Sequence, residues 1–367
     1  MSKWEKVKIE EVCEILDSMR IPVTASDRKS GVYPYYGANG VQGYVSNYIF
    51  DDELVLLAED GGNFGSKTRP IAYRVSGKCW INNHAHVLKA KPTIDVEYLC
   101  YSIMFYDVSK IISGTTRAKL NQAAMRKMTI PLPPLETQKL IAKTLDATSE
   151  LLNMHKQQLA ELDNLIKSTF YNMFGDPFDN DKRWRILGLV DVATIDTKLT
   201  KEFDKYAEYP HIGIDSIEKS TGNIVDYKLV KDSNIISGKY LFSNKHIIYS
   251  KIRPNLNKVA LPTFCGLCSA DAYPILPKEN ISNKYYLAYI LRSDFFLNYI
   301  LDFSGRTNIP KVNKQQLGGF QLPIPPISLQ TQFAEIVTKI EEQKALVRKA
   351  IDETQYLFDS LISDYFE

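Results

Sequence analysis

The sequence predicts an α+β protein with two mixed α/β domains in tandem, separated by two long helices that form an antiparallel coiled coil. Three observations predict this plan: the chain repeats itself, each repeat begins with short apolar runs broken by turn residues, and each ends in a long stretch with heptad spacing. Because both halves share one plan, we expect a pseudo-two-fold axis to relate them.

The duplication is clearest in a proline-rich motif that occurs twice. Residues 131–142 read PLPPLETQKLIA and residues 323–334 read PIPPISLQTQFA, each with a Gln four residues after the last Pro. Upstream of each copy lies a matching tripeptide, KLN at 119–121 and KVN at 311–313. Correspondences that recur in the same order along both halves indicate a tandem pair of related domains.

The two globular parts, residues 1–130 and 176–322, consist of short apolar or aromatic runs separated by Gly- and Asn-rich turns. This pattern is typical of mixed sheet with a few helices. A Tyr-Leu-x-Tyr core predicts one helix in each part, at 96–106 and 284–291. Early in each part, a Tyr-Pro pair, at 33–34 and at 209–210, precedes a Gly by three residues.

The two helical parts, residues 131–175 and 323–367, follow heptads over about five repeats, which predicts a coiled-coil seam. A helix from Leu135 to Phe174 would be about 60 Å long, and Gly175 followed by Pro177 would stop it. Polar residues in the seam either set its register or lie near the ends or edges of the contact; the sequence leaves both open. The predicted seam contains Ile141, Leu145, Thr148, Leu152, His155, Leu159, Leu162, Ile166, Thr169 and Met173 in the first helix, and Val337, Ile340, Lys344, Val347, Ile351, Thr354, Phe358, Leu361 and Tyr365 in the second.

Composition indicates an ordinary globular protein. The net charge of the 367-residue chain is only +2, so any nucleic-acid surface must arise from local clusters of Lys and Arg. Five cysteines without framework spacing are typical of a reducing compartment. The N-terminus does not resemble a signal peptide and no apolar run approaches 18 residues, so we expect a cytoplasmic protein without membrane spans.

The sequence offers no convincing catalytic or metal site. The loop GGNFGSKT at 61–68 lacks the adjacent Gly-Lys of a phosphate loop, so DNA contact is the better interpretation. Cys265 and Cys268 have zinc-knuckle spacing without a second ligand pair, which favours two half-buried thiols in a strand. His84 and His86 alternate without a visible third ligand; DNA contact and ordinary hydrogen-bonded surface both remain open. We find no amino-methyltransferase motif, cofactor loop or nuclease pattern, and predict no catalytic residue, cofactor or metal.

Basic and amide side chains cluster in comparable regions of both halves. Arg and Lys neutralise phosphates, Arg can bind guanine O6 and N7, and Asn or Gln can bind adenine N6 and N7. Such clusters are usually solvated surface, but their recurrence in both halves favours DNA contact. The candidate DNA-binding residues are Asn63, Lys67, Arg69, Asn83, His84, Arg117, Lys119, Lys251, Arg253, Asn255, Asn257, Lys258, Arg306 and Lys311.

The whole chain resembles the specificity subunits of Type I restriction–modification enzymes, in which target-recognition domains alternate with helices. The Pro-x-Pro-Pro-x-x-x-Gln segments at 131–138 and 323–330 are similar to the conserved regions of that family. SKIRPNLNK at 250–258 is similar to a segment of one recognition-domain subtype, whereas YYGANG at 35–40 resembles another.

The resemblance implies a first target-recognition domain at 1–130, a spacer helix at 131–175, a second recognition domain at 176–322 and a C-terminal spacer helix at 323–367. It implies that the two domains read different halves of a bipartite, asymmetric target in double-stranded DNA, with the helices fixing the gap. It also implies partners: two modification subunits, which bind the cofactor and methylate adenine, and motor-nuclease restriction subunits. The chain itself would be a non-catalytic subunit.

Two other classes of protein share some of these features. A stand-alone sequence-specific DNA-binding regulator would bind its site without a partner. A coiled-coil interaction protein would show no salt-dependent affinity for DNA. Both account for the helices, but neither accounts for two diverged sheet domains with basic loops.

Overall fold

The computed structural model describes residues 4–114, 117–303 and 310–366. The chain forms two compact units, unit 1 from Met1–Gln157 and Arg348–Glu367, and unit 2 from Gln158–Val347. Each unit contains one globular part and a portion of both long helices. Across the described ranges, no helix is long and apolar enough to cross a membrane.

Unit 1 is built around one mixed sheet. Its elements are β1 (Lys6–Lys8), α1 (Ile9–Val12), β2 (Cys13–Ile15), β3 (Tyr33–Gly37), β4 (Gly40–Val45), β5 (Phe50–Ala58), β6 (Ala72–Ile81), β7 (Ala85–Ala90), α2 (Val96–Met104), α3 (Gln122–Arg126), β8 (Thr129–Pro131) and the first part of α4 (Leu135–Phe174). The six strands lie in the order β2-β7-β5-β6-β3-β4. Neighbours are antiparallel except β3 and β6, which are parallel.

The central strand β5 shows why this sheet forms. Val55 and Leu57 pack into one apolar cluster together with residues of α2 and α4. Leu54 and Leu56, on the opposite face, pack into a second cluster with residues of β6 and β7. Because both faces are buried, the strand appears in the sequence as a continuous apolar run rather than an alternating one.

The described part of unit 2 contains two small sheets, of four and five strands, and a separate two-stranded sheet. Its elements are the rest of α4, β9 (Arg185–Gly188), α5 (Leu189–Val192), β10 (Ala193–Ile195), β11 (Leu199–Thr200), β12 (Pro210–Ile212), β13 (Lys228–Leu229), β14 (Lys239–Phe242), β15 (Ile247–Ser250), β16 (Val259–Ala260), β17 (Gly266–Cys268), β18 (Ala272–Pro277), α6 (Lys284–Arg292), α7 (Asp294–Leu301), α8 (Lys314–Gly318), β19 (Gln321–Ile324) and most of α9 (Ile327–Phe366). The strand orders are β10-β18-β15-β16 and β11-β14-β17-β12-β13.

The strand pairing confirms that the two units share a plan. The Tyr-Pro pairs of the sequence lie at β3 and β12, and each of these strands has one parallel and one antiparallel neighbour. The connections differ, because two residues link β3 to β4 whereas residues 213–227 link β12 to β13. The shared strands therefore carry different loops.

The predicted helices at 96–106 and 284–291 are α2 and α6, although α2 ends two residues earlier and α6 one residue later than predicted. The Tyr at the start of each Tyr-Leu-x-Tyr core is buried. Tyr98 donates its hydroxyl to the carbonyl of Pro131 at 2.8 Å, and Tyr286 donates to that of Pro323 at 2.6 Å. Each core thus fastens a helix to the proline-rich motif of its own half.

The Gln of the first proline-rich motif ties α4 to unit 1. Gln138 is 1% exposed, and its Oε1 accepts the backbone N–H of Asp95 at 2.8 Å. Its Nε2 donates to the carbonyls of Thr93, at 3.2 Å, and Pro133, at 2.8 Å. One buried amide therefore joins the helix start to the turn that precedes α2.

Gln330 repeats this arrangement in unit 2. Its Oε1 accepts the N–H of Asn283 at 2.8 Å, and its Nε2 donates to the carbonyls of Ile281 and Pro325 at 3.1 and 2.8 Å. The fixed spacing between Pro and Gln in the repeated motif follows from this hydrogen-bonding pattern.

Helices α4 and α9 contain 40 residues each, and all the predicted seam residues are buried or half-buried. Gly175, at φ 75°, ends α4 as predicted. In unit 1 the core includes Ile141, near the start of α4, and Phe358, near the end of α9. In unit 2 it includes Phe170, near the end of α4, and Phe333, near the start of α9. The helices therefore run in opposite directions.

Lys344 is a charged residue inside the seam. It is 6% exposed, and its Nζ lies 2.7 Å from Asp163 Oδ1 on α4 and 2.7 Å from Glu341 Oε1 on its own helix. Lys344 lies near the middle of α9, so it is not near a helix end. A role in setting the register and a position at the edge of the contact both stay predictions for it.

Candidate nucleic-acid interface

The lysines of the two repeated tripeptides, Lys119 and Lys311, occupy equivalent positions in their units. The residue after Lys119 donates its backbone N–H to the carbonyl of Glu59, just beyond β5, at 2.7 Å. The residue after Lys311 donates to the carbonyl of Lys251, just beyond β15, at 2.8 Å. The third residue of each tripeptide is an Asn whose side chain caps the next short helix. Both units thus hold a lysine at the end of a central strand.

In unit 1, cations surround the two carboxylates that follow β5. Lys119 Nζ lies 2.9 Å from Glu59 Oε1, and Arg117 Nη2 lies 3.0 Å from Asp60 Oδ1. His84 Nδ1 lies 2.6 Å from the same Asp60 oxygen. The side chains of Arg117 and Lys119 are 60% and 48% exposed, so both remain accessible to a ligand while a carboxylate orients them.

A buried network lies behind this surface. His86 Nδ1 is 2.7 Å from Asp17 Oδ2, and its Nε2 is 2.8 Å from the carbonyl oxygen of Leu120. Both ring nitrogens of His86 therefore lie within hydrogen-bonding distance of an oxygen atom. Arg20 lies between Asp17, at 3.6 Å, and Glu59, at 2.7 Å. Because Glu59 also pairs with the exposed Lys119, Arg20 connects the buried network to the surface.

The network keeps its carboxylates ionised. Burial alone would raise the pKa of Asp17, but hydrogen bonds from His86, Val87 and Gln122 and the charge of His86 outweigh burial and lower it. Burial likewise opposes the hydrogen bonds from Arg20 and Lys119 to Glu59, and those bonds lower its pKa. The charged form of both residues is therefore the stable one in the folded unit.

The sequence interpretation of His86 requires correction. His86 is fully buried, so neither DNA contact nor a surface hydrogen bond describes it, because the strand turns it into the core. Asp17, Glu59 and His86 each place a possible ligand atom within 4.8 Å of the others, a set that local sequence spacing does not reveal. Both carboxylates are already paired with Arg20, at 3.6 Å for Asp17 and 2.7 Å for Glu59, so a metal ion would have to displace bound positive charge.

The Gly-rich loop between β5 and β6 carries three of the candidates. Lys67 and Arg69 are exposed, and Ser66 Oγ accepts the N–H of Arg69 at 2.9 Å. Asn63 Nδ2 donates to a carbonyl of the same loop at 3.3 Å. Asn83 is exposed and directly precedes His84 in the chain. Asn63, Lys67 and Arg69 therefore lie in the connection between β5 and β6, and Asn83 lies in the connection between β6 and β7.

In unit 2, the candidates at 253–258 form a tight loop around a 3₁₀ turn, Pro254–Leu256. Arg253 and Asn257 lie on either side of it, at φ 50° and 46°. Arg253 and Asn255 are exposed. Asn257 Nδ2 donates to the carbonyl at the end of α6 at 2.7 Å, and Lys258 Nζ donates to a carbonyl just beyond β12 at 2.7 Å. Asn257 and Lys258 thus anchor the loop that exposes the other two.

Two further lysines lie beside this loop. Lys311 Nζ is 3.1 Å from Asp271 Oδ1, and Lys251 Nζ lies 5.1 Å from the centre of the Tyr273 ring. Burial lowers the pKa of Lys251, and the nearby charge of Lys311 lowers it further. The remaining candidate, Arg306, lies outside the described residues.

The search for basic and amide residues missed the carboxylates at both surfaces. Asp271 directly precedes β18, as His84 directly precedes β7. Asp271 pairs with Lys311. The duplication offered no signal for them, since Glu59 corresponds to Lys251 and Asp271 corresponds to His84 when the two halves are aligned on these strands. A carboxylate next to an exposed cation orients that cation and offsets part of its charge.

The two cysteines with zinc-knuckle spacing differ from the expectation of two half-buried thiols in one strand. Cys265 is exposed and precedes β17, whereas Cys268 lies in β17 and is fully buried. Burial raises the pKa of the Cys268 thiol. The two thiols therefore lie in different environments, one open to solvent and one in the core.

Comparison with known proteins gives a consistent result. A family model described as the Type I restriction modification DNA specificity domain matches residues 1–164 and again residues 181–355. The EcoDI specificity subunit of Escherichia coli is 26% identical over 92% of this chain and 81% of its own length. The MjaVIII specificity subunit of Methanocaldococcus jannaschii is 24% identical over 94% of this chain and 88% of its own.

Solved structures share the fold. The S subunit of a Type I restriction–modification system from M. genitalium superposes with a TM-score of 0.64 at 14% identity, over 100% of this chain and 96% of that one. A chain from a study of complex assembly and conformational transition of the type I R-M system superposes with a TM-score of 0.51 at 14% identity, over 99% of this chain and 97% of that one. With two copies of the domain that defines it, this chain belongs to the DNA specificity family of Type I restriction–modification systems.

Proposed function

We propose that this chain gives a Type I restriction–modification complex its DNA sequence specificity, with each globular domain reading one half of a bipartite, asymmetric target. One observation carries the proposal: both units hold an exposed lysine in the same backbone arrangement at the end of a central strand, Lys119 in one and Lys311 in the other. Two equivalent cationic sites in one chain suit two half-sites on one duplex.

The surroundings of these lysines differ, and the difference supports two distinct half-site sequences. Unit 1 places Arg117 and His84 on Asp60, whereas unit 2 exposes Arg253 and Asn255 on a short turn. Base pairs are distinguished in the major groove by their patterns of donors and acceptors. Two surfaces with different donors and acceptors therefore select different bases.

The exposed candidates divide by chemistry. Arg117 and Arg253 suit guanine, Asn255 suits adenine, and Lys119 and Lys311 suit phosphates that position the domain. The remaining basic and amide candidates would extend the same surfaces: Lys67, Arg69 and Asn83 are exposed, and Asn63 and Lys251 are half-buried. Arg306 lies outside the described residues, and its assignment rests on the sequence alone. Asn257 and Lys258 act by holding their loop in place.

The long helices would fix the gap between the half-sites and dock two modification subunits, which methylate adenine with their own cofactor. Large apolar side chains on these helices support docking, since Leu140, Met154, Leu346 and Tyr356 are 64%, 59%, 62% and 77% exposed. Motor-nuclease restriction subunits would complete the complex. In this assembly the present chain binds DNA and partners, and the catalytic chemistry belongs to the other subunits.

The proposal is tested by mapping adenine methylation across a genome in a host that carries the cognate modification subunit, with and without this chain. A bipartite motif that appears only with the chain is the expected result. If the assembled subunits are soluble and no motif appears, the proposal fails. Specific binding by the purified chain alone would then identify a stand-alone regulator.

A further inference from the structure

We propose that Gln42, on β4, is a specificity-determining residue that contacts an adenine in the half-site read by unit 1. This inference rests on the proposed function and extends it to the β3–β4 hairpin, which carries none of the candidates chosen from the sequence.

The tip of this hairpin borders the candidate surface of unit 1. Asn39, in the two-residue turn, donates from Nδ2 to the carbonyl of Gly61 at 2.9 Å. Gly61 follows Asp60, and a Cβ on Gly61 would lie 3.0 Å from Nη2 of Arg117. The hairpin and Arg117 therefore flank the same loop, so DNA that reaches Arg117 also approaches the hairpin.

Gln42 is exposed, yet its side chain is held from below. Asn82, which is 2% exposed, donates from Nδ2 to Gln42 Oε1 at 3.2 Å. The Oδ1 atom of the same Asn82 accepts the backbone N–H of His84 at 2.8 Å. One buried amide thus sets the positions of two neighbouring surface residues, Gln42 and His84.

The backbone beneath Gln42 makes room for this arrangement. A Cβ on Gly37 would lie 2.2 Å from Nε2 and 2.6 Å from Cδ of Gln42, so the Gln42 side chain lies in space that only glycine leaves open. The register of β3 against β4 shifts between Tyr35 and Tyr36, an irregularity of the kind that re-aims side chains at a sheet edge. A long side chain that is already fixed loses less conformational freedom on binding.

A fixed carboxamide matches one base edge in particular. Adenine presents an N6 amino donor and an N7 acceptor in the major groove, and a glutamine amide can bind both. The Nε2 group of Gln42 supplies donors, and Oε1 retains a second lone pair beside the bond from Asn82. Residues 213–227 replace this hairpin connection in unit 2, so the contact belongs to one half-site.

The test compares the assembled complexes of the wild-type chain and of Gln42→Met, which keeps the side-chain length but removes the amide. Duplexes that vary one base pair at a time in both half-sites are titrated at fixed salt, and methylation is mapped in the host. We expect Gln42→Met to lose about 5- to 150-fold discrimination at one A·T pair and to keep the other half-site unchanged.

Two further variants sharpen the result. Gly37→Ala retains the amide but displaces it, so it should relax the same base pair. Asn47→Ala, an exposed residue beyond the far end of β4, is the matched control and should recognise the wild-type motif with an affinity within about twofold.

Three outcomes would overturn the assignment. They are an unchanged motif with Gln42→Met, relaxation at a G·C pair, and an equal loss at all positions of both half-sites. If the wild-type chain directs no bipartite motif at all, the proposed function itself is refuted. The wild-type measurement therefore separates a failure of the proposed function from a failure of the Gln42 assignment.

Discussion

Replacing Gln138 by Met is expected to lower the free energy of unfolding of unit 1 by about 2–4 kcal/mol. The substitution keeps the side-chain volume but leaves three backbone groups without their partner. The Pro133 carbonyl is buried and would lose a bond worth about 1–3 kcal/mol, and the half-buried Asp95 N–H would lose about 1 kcal/mol. The Thr93 carbonyl is exposed and regains water, so it adds little.

The measurement is urea-induced unfolding of the full chain followed by circular dichroism, with hydrogen exchange at the Asp95 amide as a local readout. Gln158→Met is the matched control, because Gln158 lies exposed on the same helix, and it should change stability by less than about 0.5 kcal/mol. Gln330→Met should reproduce the loss in unit 2. If Gln138→Met and its control have equal stability and equal exchange at Asp95, the anchoring role of this glutamine is wrong.

Four other predictions follow from the structure and the proposed function. Because the pKa values of Asp17 and Glu59 are lowered on folding, the stability they contribute is complete above their unfolded pKa values of about 4 and is lost as pH falls below them. The urea midpoint of unit 1 should drop between pH 6 and 3 and drop less in Asp17→Asn; an equal drop in both proteins would contradict this reasoning. Lys344→Met should change stability by less than about 1 kcal/mol, because Asp163 and Glu341 are 56% and 39% exposed and regain water when the lysine is removed; a loss above about 1 kcal/mol in urea unfolding would show that the ion pair is needed. Inserting four residues, about 6 Å of helix, into both α4 and α9 should lengthen the gap in the methylated motif by one or two base pairs, and an unchanged gap would eliminate a measuring role. Exchanging residues 1–130 for the corresponding domain of a relative should change one half-site of the mapped motif, whereas a change in both would show that the domains do not read independently.

Much of the fold was accessible from the sequence because its signals are local and repeated. Heptad spacing predicted the seam residues of both long helices. The Gly175 cap predicted that α4 ends at Phe174, where the helix does end. The Tyr-Leu-x-Tyr cores gave α2 and α6 to within two residues. The ends of these short helices were less exact, since the last turn depends on packing that a local pattern does not contain.

The candidate DNA-binding surface could be predicted only in part from the sequence. The search for basic and amide residues found Lys119 and Lys311. It also treated Asn257 and Lys258 as equivalent to Arg253, although the side chains of Asn257 and Lys258 donate hydrogen bonds to backbone carbonyls. Which side chain of a turn reaches solvent depends on its backbone angles, and the residues on either side of this turn have positive φ. Composition does not encode that direction.

By itself, the sequence determined that this protein is a duplicated pair of sheet domains joined by long heptad helices, because repeats and periodicity are properties of neighbouring residues. Only the tertiary structure decided the partners: His86 with Asp17, Arg117 with Asp60, and Gln42 with Asn82. These pairs are far apart in the chain and meet only because strand order and register bring their elements together. The sequence therefore indicates which segments are candidates for DNA contact, whereas the folded chain decides which of their side chains are exposed and held in position.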